Sequence, residues 1–383
     1  MKLTEKLYDT DSHVKEFTAA VTACEAAPKG WRIALDRTAF FPEGGGQAGD
    51  SGFLNDTEVF DTQEKEGVIW HYTGQALSPS TAVTGKLDWE TRFSRMQQHS
   101  GEHIVSGLIH RRFGYDNVGF HLGEKEVTLD FNGSISREEL AEIEREANRA
   151  VFANLPVRIS FPDRETLKTL EYRSKIEIRG QVRIVTVPGI DTCACCAPHV
   201  ALTGEIGLIK LTNVQAHRGG VRVSLLAGDR ALLDYREKEA CVKAVSVLLS
   251  AKEARIGEAV EHLKEENYAL TGRIMALQNR MIREKALAVP EGAGNIAFFE
   301  ENLDAAAMRE FVNLLTRRLK GIACVFTGND REGYRYVLGS SSADVRPLCQ
   351  KLNTAFSGKG GGKPEMVQGS LSGSEEAIRS LLF

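Results

Sequence analysis

The sequence predicts a multidomain α+β chain: an N-terminal β-barrel-like domain, an α/β domain, a long coiled-coil helix and a C-terminal α/β domain. Three observations carry that prediction. Residues 1–90 alternate apolar and polar side chains in short runs broken by glycine, the habit of half-buried strands. Residues 230–288 contain no proline and repeat leucine or isoleucine at every seventh position over much of their length. Residues 91–229 and 289–383, on either side of that repeat, mix helical and strand periodicity. At 383 residues the chain exceeds one ordinary domain, and roughly two to four compact units are expected.

Each element follows from a quoted stretch. In "WRIALDRTAFF" the residues Trp31, Ile33 and Leu35 share one side of a strand, "FPEGGGQAGDSGF" interrupts it with turn residues, and "GVIWHYTG" resumes the pattern. Further on, "EELAEIEREANRAVFANL" is an amphipathic helix, and "GEIGLIKLTNV" and "GVRVSLLAG" are strands. Leu249, Ile256, Leu263, Leu270 and Leu277 then occupy one heptad position. Val260, Ile274 and Met281 occupy the complementary one, which Asn267 interrupts, so a long helix in a coiled coil or helical hairpin is expected. Finally "NIAFFEE", "GIACVFTGN" and "YRYVLGS" are strands, "AAAMREFVNLLTRRLK" is a helix, and "SGKGGGKPEMVQGS" is glycine-rich.

Composition bounds the function. The chain is 42% hydrophobic and 26% charged, an ordinary globular mix, and no apolar run approaches the roughly 20 residues of a membrane span. Its first residues, "MKLTEKLYDTDSHVKEF", lack the apolar core and cleavage site of a signal peptide, so a cytoplasmic protein is expected. A net charge of 48 − 52 = −4 means that any nucleic-acid partner is held by local basic patches rather than by overall charge. Of seven cysteines, Cys24, Cys241, Cys324 and Cys349 are scattered, while Cys193, Cys195 and Cys196 crowd together. An odd, clustered set points to metal or catalytic chemistry rather than to disulfides.

The chemistry starts in "QQHSGEHIVSGLI". Four residues apart on a helix, His99 and His103 lie on one face about 5 to 6 Å apart at Cβ, close enough to share a metal ion. Downstream, "DTCACCAPH" sets Cys195 and His199 four apart, and a thiolate with three imidazoles is a reasonable zinc shell. Cys193 and Cys196 are alternative ligands; His110 and His121 have no such pairing. A second reading competes. "HSGEH" fits the inverted-zincin pattern H-x-x-E-H, in which Glu102 is the general base of a metallopeptidase and a distant glutamate such as Glu177 is the third ligand. That reading leaves Cys195 and His199 unexplained.

Five stretches in order, "LDRTAFFPEGGGQAGDSG", "RMQQHSGEHIVSG", "VGFHLGEKEVTLDF", "GIDTCACCAPHV" and "TGEIGLIKL", resemble the editing region of alanyl-tRNA synthetase and its free-standing relatives, the alanyl-tRNA editing (AlaX) proteins of the long type. The tail "GKGGGKPEMVQGS" resembles the glycine-rich signature of the DHH-associated domain. With these motifs beginning near residue 35, no room is expected upstream for a class II aminoacylation domain, so the resemblance is to a trans-editing protein rather than a ligase. The domains expected are 1–90 (β-rich, with the glycine loop), 91–229 (editing), 230–288 (helix) and 289–383 (DHH-associated-like, for tRNA binding and dimerisation).

The resemblance implies one zinc ion per chain on His99, His103, Cys195 and His199, and hydrolysis of the ester that links serine or glycine to tRNA(Ala). One departure is visible: the family's turn is commonly C-x-G-T-H, whereas here Cys196, Ala197 and Pro198 stand between the ligands, which bears on the loop's contacts with substrate more than on the metal. Zinc polarises a carbonyl, binds an amine or acidifies a water, although a closed set of four protein ligands is more typical of structural zinc. A non-catalytic tRNA-binding protein with structural zinc is therefore a third reading. Gln47, after the turn residues Gly44, Gly45 and Gly46, resembles the family's glutamine, which offers an amide to the substrate. Glu102 is either a general base or a solvated surface residue. Arg111, Arg112, Arg218, Arg222, Arg317, Arg318, Lys320, Lys359 and Lys363 are candidate tRNA contacts. "GKGGGK" is no Walker A loop, since Pro364 follows Lys363 where Ser or Thr is required, but a backbone nest there suits a phosphate.

Overall fold

The structure, a computed structural model, describes residues 3–174 and 180–383. The chain separates into two compact units, residues 1–242 and residues 243–383. Glu177 lies outside the described residues.

In the first unit a short parallel pair, β1 (Glu5–Lys6) and β4 (Arg37–Thr38), accompanies a barrel. Its strands are β2 (Glu16–Ala27), β3 (Gly30–Leu35), β5 (Gly52–Leu54), β6 (Thr57–Lys65), β7 (Val68–Thr73) and β8 (Ala82–Leu87), antiparallel and closed in the order β2-β3-β7-β6-β5-β8. Ile33 and Leu35 point into the barrel core with Phe17, Val21, Phe40 and Val59, while Trp31 of the same face stands at the strand's start, more than a third exposed.

Helix α1 (Trp89–Phe113) follows at once, with Asp88 accepting a hydrogen bond from the Thr91 amide as N-cap and Gly114 in the left-handed region as C-cap. The Arg92 guanidinium is fully buried against the Asp50 carboxylate and the carbonyls of Ser12 and Ala39, all belonging to the barrel region. The division expected near residue 90 is thereby crossed by a buried ion pair, and one unit contains both sides of it. Beyond α1 come β9 (Asn117–Leu122), β10 (Val127–Phe131), helix α2 (Arg137–Phe152), β11 (Arg158–Ser160), helix α3 (Arg164–Thr169), β12 (Ile184–Val187), β13 (Asp191–Ala194), β14 (Ile209–His217) and β15 (Gly220–Ala227). β14-β15-β10-β9 form an antiparallel sheet and β11-β12-β13 a smaller one. A capping box between Ser136 and Glu139 starts α2, whose apolar face (Leu140, Ile143, Ala147, Val151) meets α1 and the four-stranded sheet in one core.

Where the sequence suggests one long helix over 230–288, two stand: α4 (Asp229–Leu249) and α5 (Ile256–Ala288). Ser250 adopts φ 50°, and the Ala251 amide closes back on the Ser246 carbonyl, a C-terminal cap that ends α4 although the heptad spacing runs on. The apolar heptad residues mark a face without requiring an unbroken axis. That face is uncovered: Val260, Leu263, Leu270, Ile274 and Leu277 are exposed, and only the end of α5, at Ile282 and Ala286, enters a core.

The second unit holds β16 (Ile296–Glu300), helix α6 (Ala305–Thr316), β17 (Ala323–Asn329), β18 (Gly333–Gly339), helix α7 (Arg346–Ala355), β19 (Lys359–Lys363), β20 (Met366–Leu371) and helix α8 (Glu375–Leu382). The strand order is β16-β17-β18-β20-β19, with β16 and β17 parallel and the rest antiparallel. Alternation sends Val325 and Val337 to a core with α5 and α6, and Cys324, Phe326, Tyr336 and Leu338 to a second core with Cys349 and Leu352 of α7 and Ile378 of α8.

Candidate metal centre

The glycine-rich turn, α1 and the loop after β13 converge. On α1, residues from Gln97 to Ile109 are all buried, polar ones included. Gly101 admits Ile209 and Ala227 to the helix, and Gly107 admits the end of β13, since a Cβ there would lie 2.6 Å from the Ile190 carbonyl and 2.7 Å from Asp191 Cβ. On β13 successive side chains alternate, so Asp191 and Cys193 face α1 together and Cys195 follows just past the strand. Arg183 fixes that loop, its Nη1 donating to the carbonyls of Cys195 and Ala197 at 2.9 Å each.

The four residues named from sequence come together. Ligand atoms of His99, His103, Cys195 and His199 all lie within 4.8 Å of one another. Cys195 Sγ is 3.5 Å from His99 Nε2 and 3.4 Å from His199 Nε2. A tetrahedron with Zn–S near 2.3 Å and Zn–N near 2.0–2.1 Å has N–S edges of about 3.5 Å, so these spacings would fit a tetrahedral metal ion such as zinc. The second ring nitrogens are oriented too: Gln47 Oε1 lies 3.3 Å from His99 Nδ1, Ser100 Oγ 3.0 Å from His199 Nδ1 and Asp191 Oδ2 3.0 Å from His103 Nδ1. The last contact lies off the line of an ideal hydrogen bond. It is nonetheless a buried carboxylate against a ring nitrogen, a common arrangement behind metal-binding histidines.

The electrostatics favour donor states. Burial opposes the Cys195 thiolate, but His99, His103 and His199 around it hold its pKa well below the ordinary thiol value. Burial and the charge of His103 push His199 down to about 3, so its imidazole is neutral. For His103 burial is outweighed by Cys193, Asp191, Cys195 and Glu102, which raise its pKa well above the histidine norm. In the absence of a cation, thiolate and imidazolium satisfy one another; a soft divalent ion takes the place of that proton.

Of the other cysteines, Cys193 is buried beside His103 and Asp191, and exposed Cys196 turns towards Gly45 of the glycine turn. Gly45 and Gly46 have φ of 59° and 79°, and a Cβ on Gly46 would meet the Phe120 ring at 2.7 Å, so glycine is required where the turn meets the ring that packs on His99. Gln47 is buried, and its Nε2 has no hydrogen-bond partner. Glu102 is also buried, which removes the solvated-surface alternative. Its Oε1 accepts from Ser106 Oγ at 2.8 Å and Asn117 Nδ2 at 2.7 Å, and its Oε2 lies 3.7 Å from His103 Nε2. His110 is exposed beside Asp116, and His121 is exposed.

The basic residues named from sequence are divided between the two units. Arg111 donates to the Gly189 carbonyl and pairs with Glu146, Arg112 pairs with Glu142, and Arg222 forks onto Asp130 at 2.6 and 2.8 Å. Arg318 binds the Val289 carbonyl and pairs with Glu291. Arg218, Arg317 and Lys320 are exposed, as are Lys359 and Lys363 at the two ends of β19. "KGGGK" is thus an edge strand paired with β20, not a phosphate nest: close approach of Tyr336 beneath Gly360 and Gly369 selects glycine there. Sequence reasoning missed Ser100, Asp191, Arg173 and Arg183. A strand reading of "DTCAC" was the available signal for Asp191, because positions 191, 193 and 195 fall on one face.

Comparison with known proteins defines the class. Residues 5–91 match the family of class II (A) tRNA synthetases, residues 182–223 the threonyl and alanyl tRNA synthetase second additional domain, and residues 292–382 the DHHA1 domain. Two stretches of the chain are thus similar to tRNA-synthetase families, and a third to the DHHA1 domain. More particularly, the chain is a homologue, over most of its length, of the alanyl-tRNA editing proteins. It is 27% identical to that of Mus musculus over 387 residues, 95% of this chain and 93% of the mouse protein, and 26% identical to AlaX-L of Pyrococcus horikoshii over 395 residues, 98% and 96% of the respective chains. The alanine–tRNA ligase of Methanothrix thermoacetophila is 31% identical over 397 residues, which cover 96% of this chain and 42% of the ligase.

Proposed function

We propose that this protein is a zinc-dependent trans-editing hydrolase that removes serine or glycine from mischarged tRNA(Ala) in the cytoplasm and has no ligase activity. The observation that carries the reading is the closed set of His99, His103, Cys195 and His199 at tetrahedral spacing, in a chain whose relatives are named for alanyl-tRNA editing. Held by these four residues, zinc would supply a Lewis acid for hydrolysis of an ester.

The chain's own residues do the rest. Gln47 orients His99 through Oε1 and keeps the N–H groups of Nε2 for a carbonyl or hydroxyl of the aminoacyl ester. Ser106 and Asn117 hold the Glu102 carboxylate near the centre, where it accepts a proton as general base. The glycine turn, lacking side chains, lets the ester approach beside exposed Cys196. Serine adds a hydroxyl that a polar pocket holds and alanine's methyl does not. Arg218, Arg317, Lys320, Lys359 and Lys363 contact tRNA phosphates in this reading, and the apolar face of α5 forms the seam of a homodimer.

The peptidase reading of "HSGEH" leaves Cys195 and His199 at the centre without a role, and no helix among the described residues is long and apolar enough to cross a membrane. The test is deacylation of Ser-, Gly- and Ala-tRNA(Ala). The wild type releases serine or glycine and spares alanine, whereas Cys195→Ala loses zinc and more than about 100-fold in rate, beyond what outer-shell changes cost. Zinc-loaded protein that leaves all three esters intact overturns the proposal, and tRNA affinity without turnover would favour a binding protein with structural zinc.

A further inference from the structure

Behind His103, on the side away from the Cys195 sulfur, is a second polar layer, made of Asp191 and Arg173, to which the sequence alone assigns no role. Asp191 is buried, with one oxygen 3.0 Å from His103 Nδ1. Arg173 closes on the same carboxylate with both arms of its guanidinium, Nε to Oδ1 at 2.7 Å and Nη2 to Oδ2 at 2.9 Å. Both are anchored through the backbone: the Arg173 amide donates to the Thr192 carbonyl, and the Ala194 amide to the Arg173 carbonyl, so residue 173 lies along β13. Gly107, one turn after His103, is the gap that lets the carboxylate reach the ring. Arg173 also lines a cleft of about 1150 Å³ together with Asp191, Asn117 and Arg111.

We propose that Arg173 and Asp191 are positioning residues. The carboxylate keeps the proton of His103 on Nδ1 and turns Nε2 towards the Cys195 sulfur, and the guanidinium keeps the carboxylate from swinging away. A bidentate fork fixes both oxygens, which a single ammonium contact does not. A carboxylate behind a ligating imidazole sets its tautomer and raises its basicity. The inference rests on the zinc reading above, and its readout is metal affinity rather than turnover.

The experiment titrates the full-length protein with zinc against a chromogenic chelator and records the visible spectrum of the cobalt-substituted form. It compares the wild type, Cys195→Ala, Asp191→Asn, Arg173→Met and Arg173→Lys. The wild type binds one ion and Cys195→Ala does not. Asp191→Asn weakens zinc about 10- to 100-fold and shifts the cobalt bands. Arg173→Met weakens it about tenfold, and Arg173→Lys falls between Arg173→Met and the wild type. Should Asp191→Asn fail to fold, the Arg173 pair decides, because that side chain sits at the cleft wall. Wild-type affinity and cobalt spectra in Asp191→Asn or Arg173→Met overturn the clamp and leave the zinc reading standing; a wild type without zinc overturns both.

Discussion

Helices α1 and α5 are both long, and they treat their side chains in opposite ways. α1 buries Arg92, Gln97, Gln98, His99, Ser100, Glu102 and His103, while α5 leaves Leu263, Leu270, Ile274 and Leu277 exposed. Burial here follows partners rather than hydrophobicity. Several buried polar groups on α1 have reciprocal ones: Asp50 for Arg92, the Ala227 amide and carbonyl for Gln98, Ser106 and Asn117 for Glu102. Among the described residues the apolar side chains of α5 are exposed, and its helix is held at its last turns by Ile282 and Ala286.

If the buried polar framework is as tightly matched as the contacts indicate, Arg92→Met should cost most. It leaves the buried Asp50 carboxylate with only Arg95 at 3.5 Å and the Phe41 amide, and unfolding by denaturant should show a loss of about 3 kcal/mol; a loss under about 1 kcal/mol would break the contrast. A smaller effect depends on pH. His71, fully buried in the barrel between the Ile33 carbonyl and Thr38 Oγ1, has its pKa pushed by burial from 6.5 to about 4. The unfolded chain therefore binds a proton that the folded one refuses, so this contribution is complete above pH about 6.5 and is lost as pH falls to about 4. The difference is about 3 kcal/mol across that window, and a His71→Asn variant should show a flatter melting-temperature profile there. The smallest effect belongs to α5: Leu270→Gln should change stability by less than about 0.5 kcal/mol. Sedimentation should show that it abolishes a dimer formed by the wild type; a large drop in melting temperature without a change in mass would mean that the face is covered within the chain.

What was legible in the sequence divides along the same line. Spacing places His99 and His103 on one helix face and points to the downstream cysteine cluster and His199, while the choice of Cys195 over Cys193 and Cys196 comes from the resemblance to the editing family. Strands β3 and β7 of the barrel and β16, β17 and β18 of the second unit follow from alternation. The end of α4 does not, because one serine in the left-handed region stops a helix without altering heptad spacing. Asp191 stands within "GIDTCACCAPHV" but nothing in its spacing marks a role, and Arg173 lies outside the quoted stretches, since a carboxylate and a guanidinium beside a histidine are recognisable only once the neighbouring strand is in place. The nest expected at "GKGGGK" failed for a local reason: glycine serves loops and close-packed strands equally, and Tyr336 decides between them.

That strand has one more consequence. β19 is the last strand of its sheet, so one edge of a nearly bare backbone faces outward with its amides and carbonyls available. Such an edge invites a second sheet to add on, the first step of aggregation. Lys359 and Lys363 bracket it with two positive charges five positions apart in inclusive count, which repel an identical edge approaching in either direction. The two lysines therefore guard solubility whether or not RNA ever touches them.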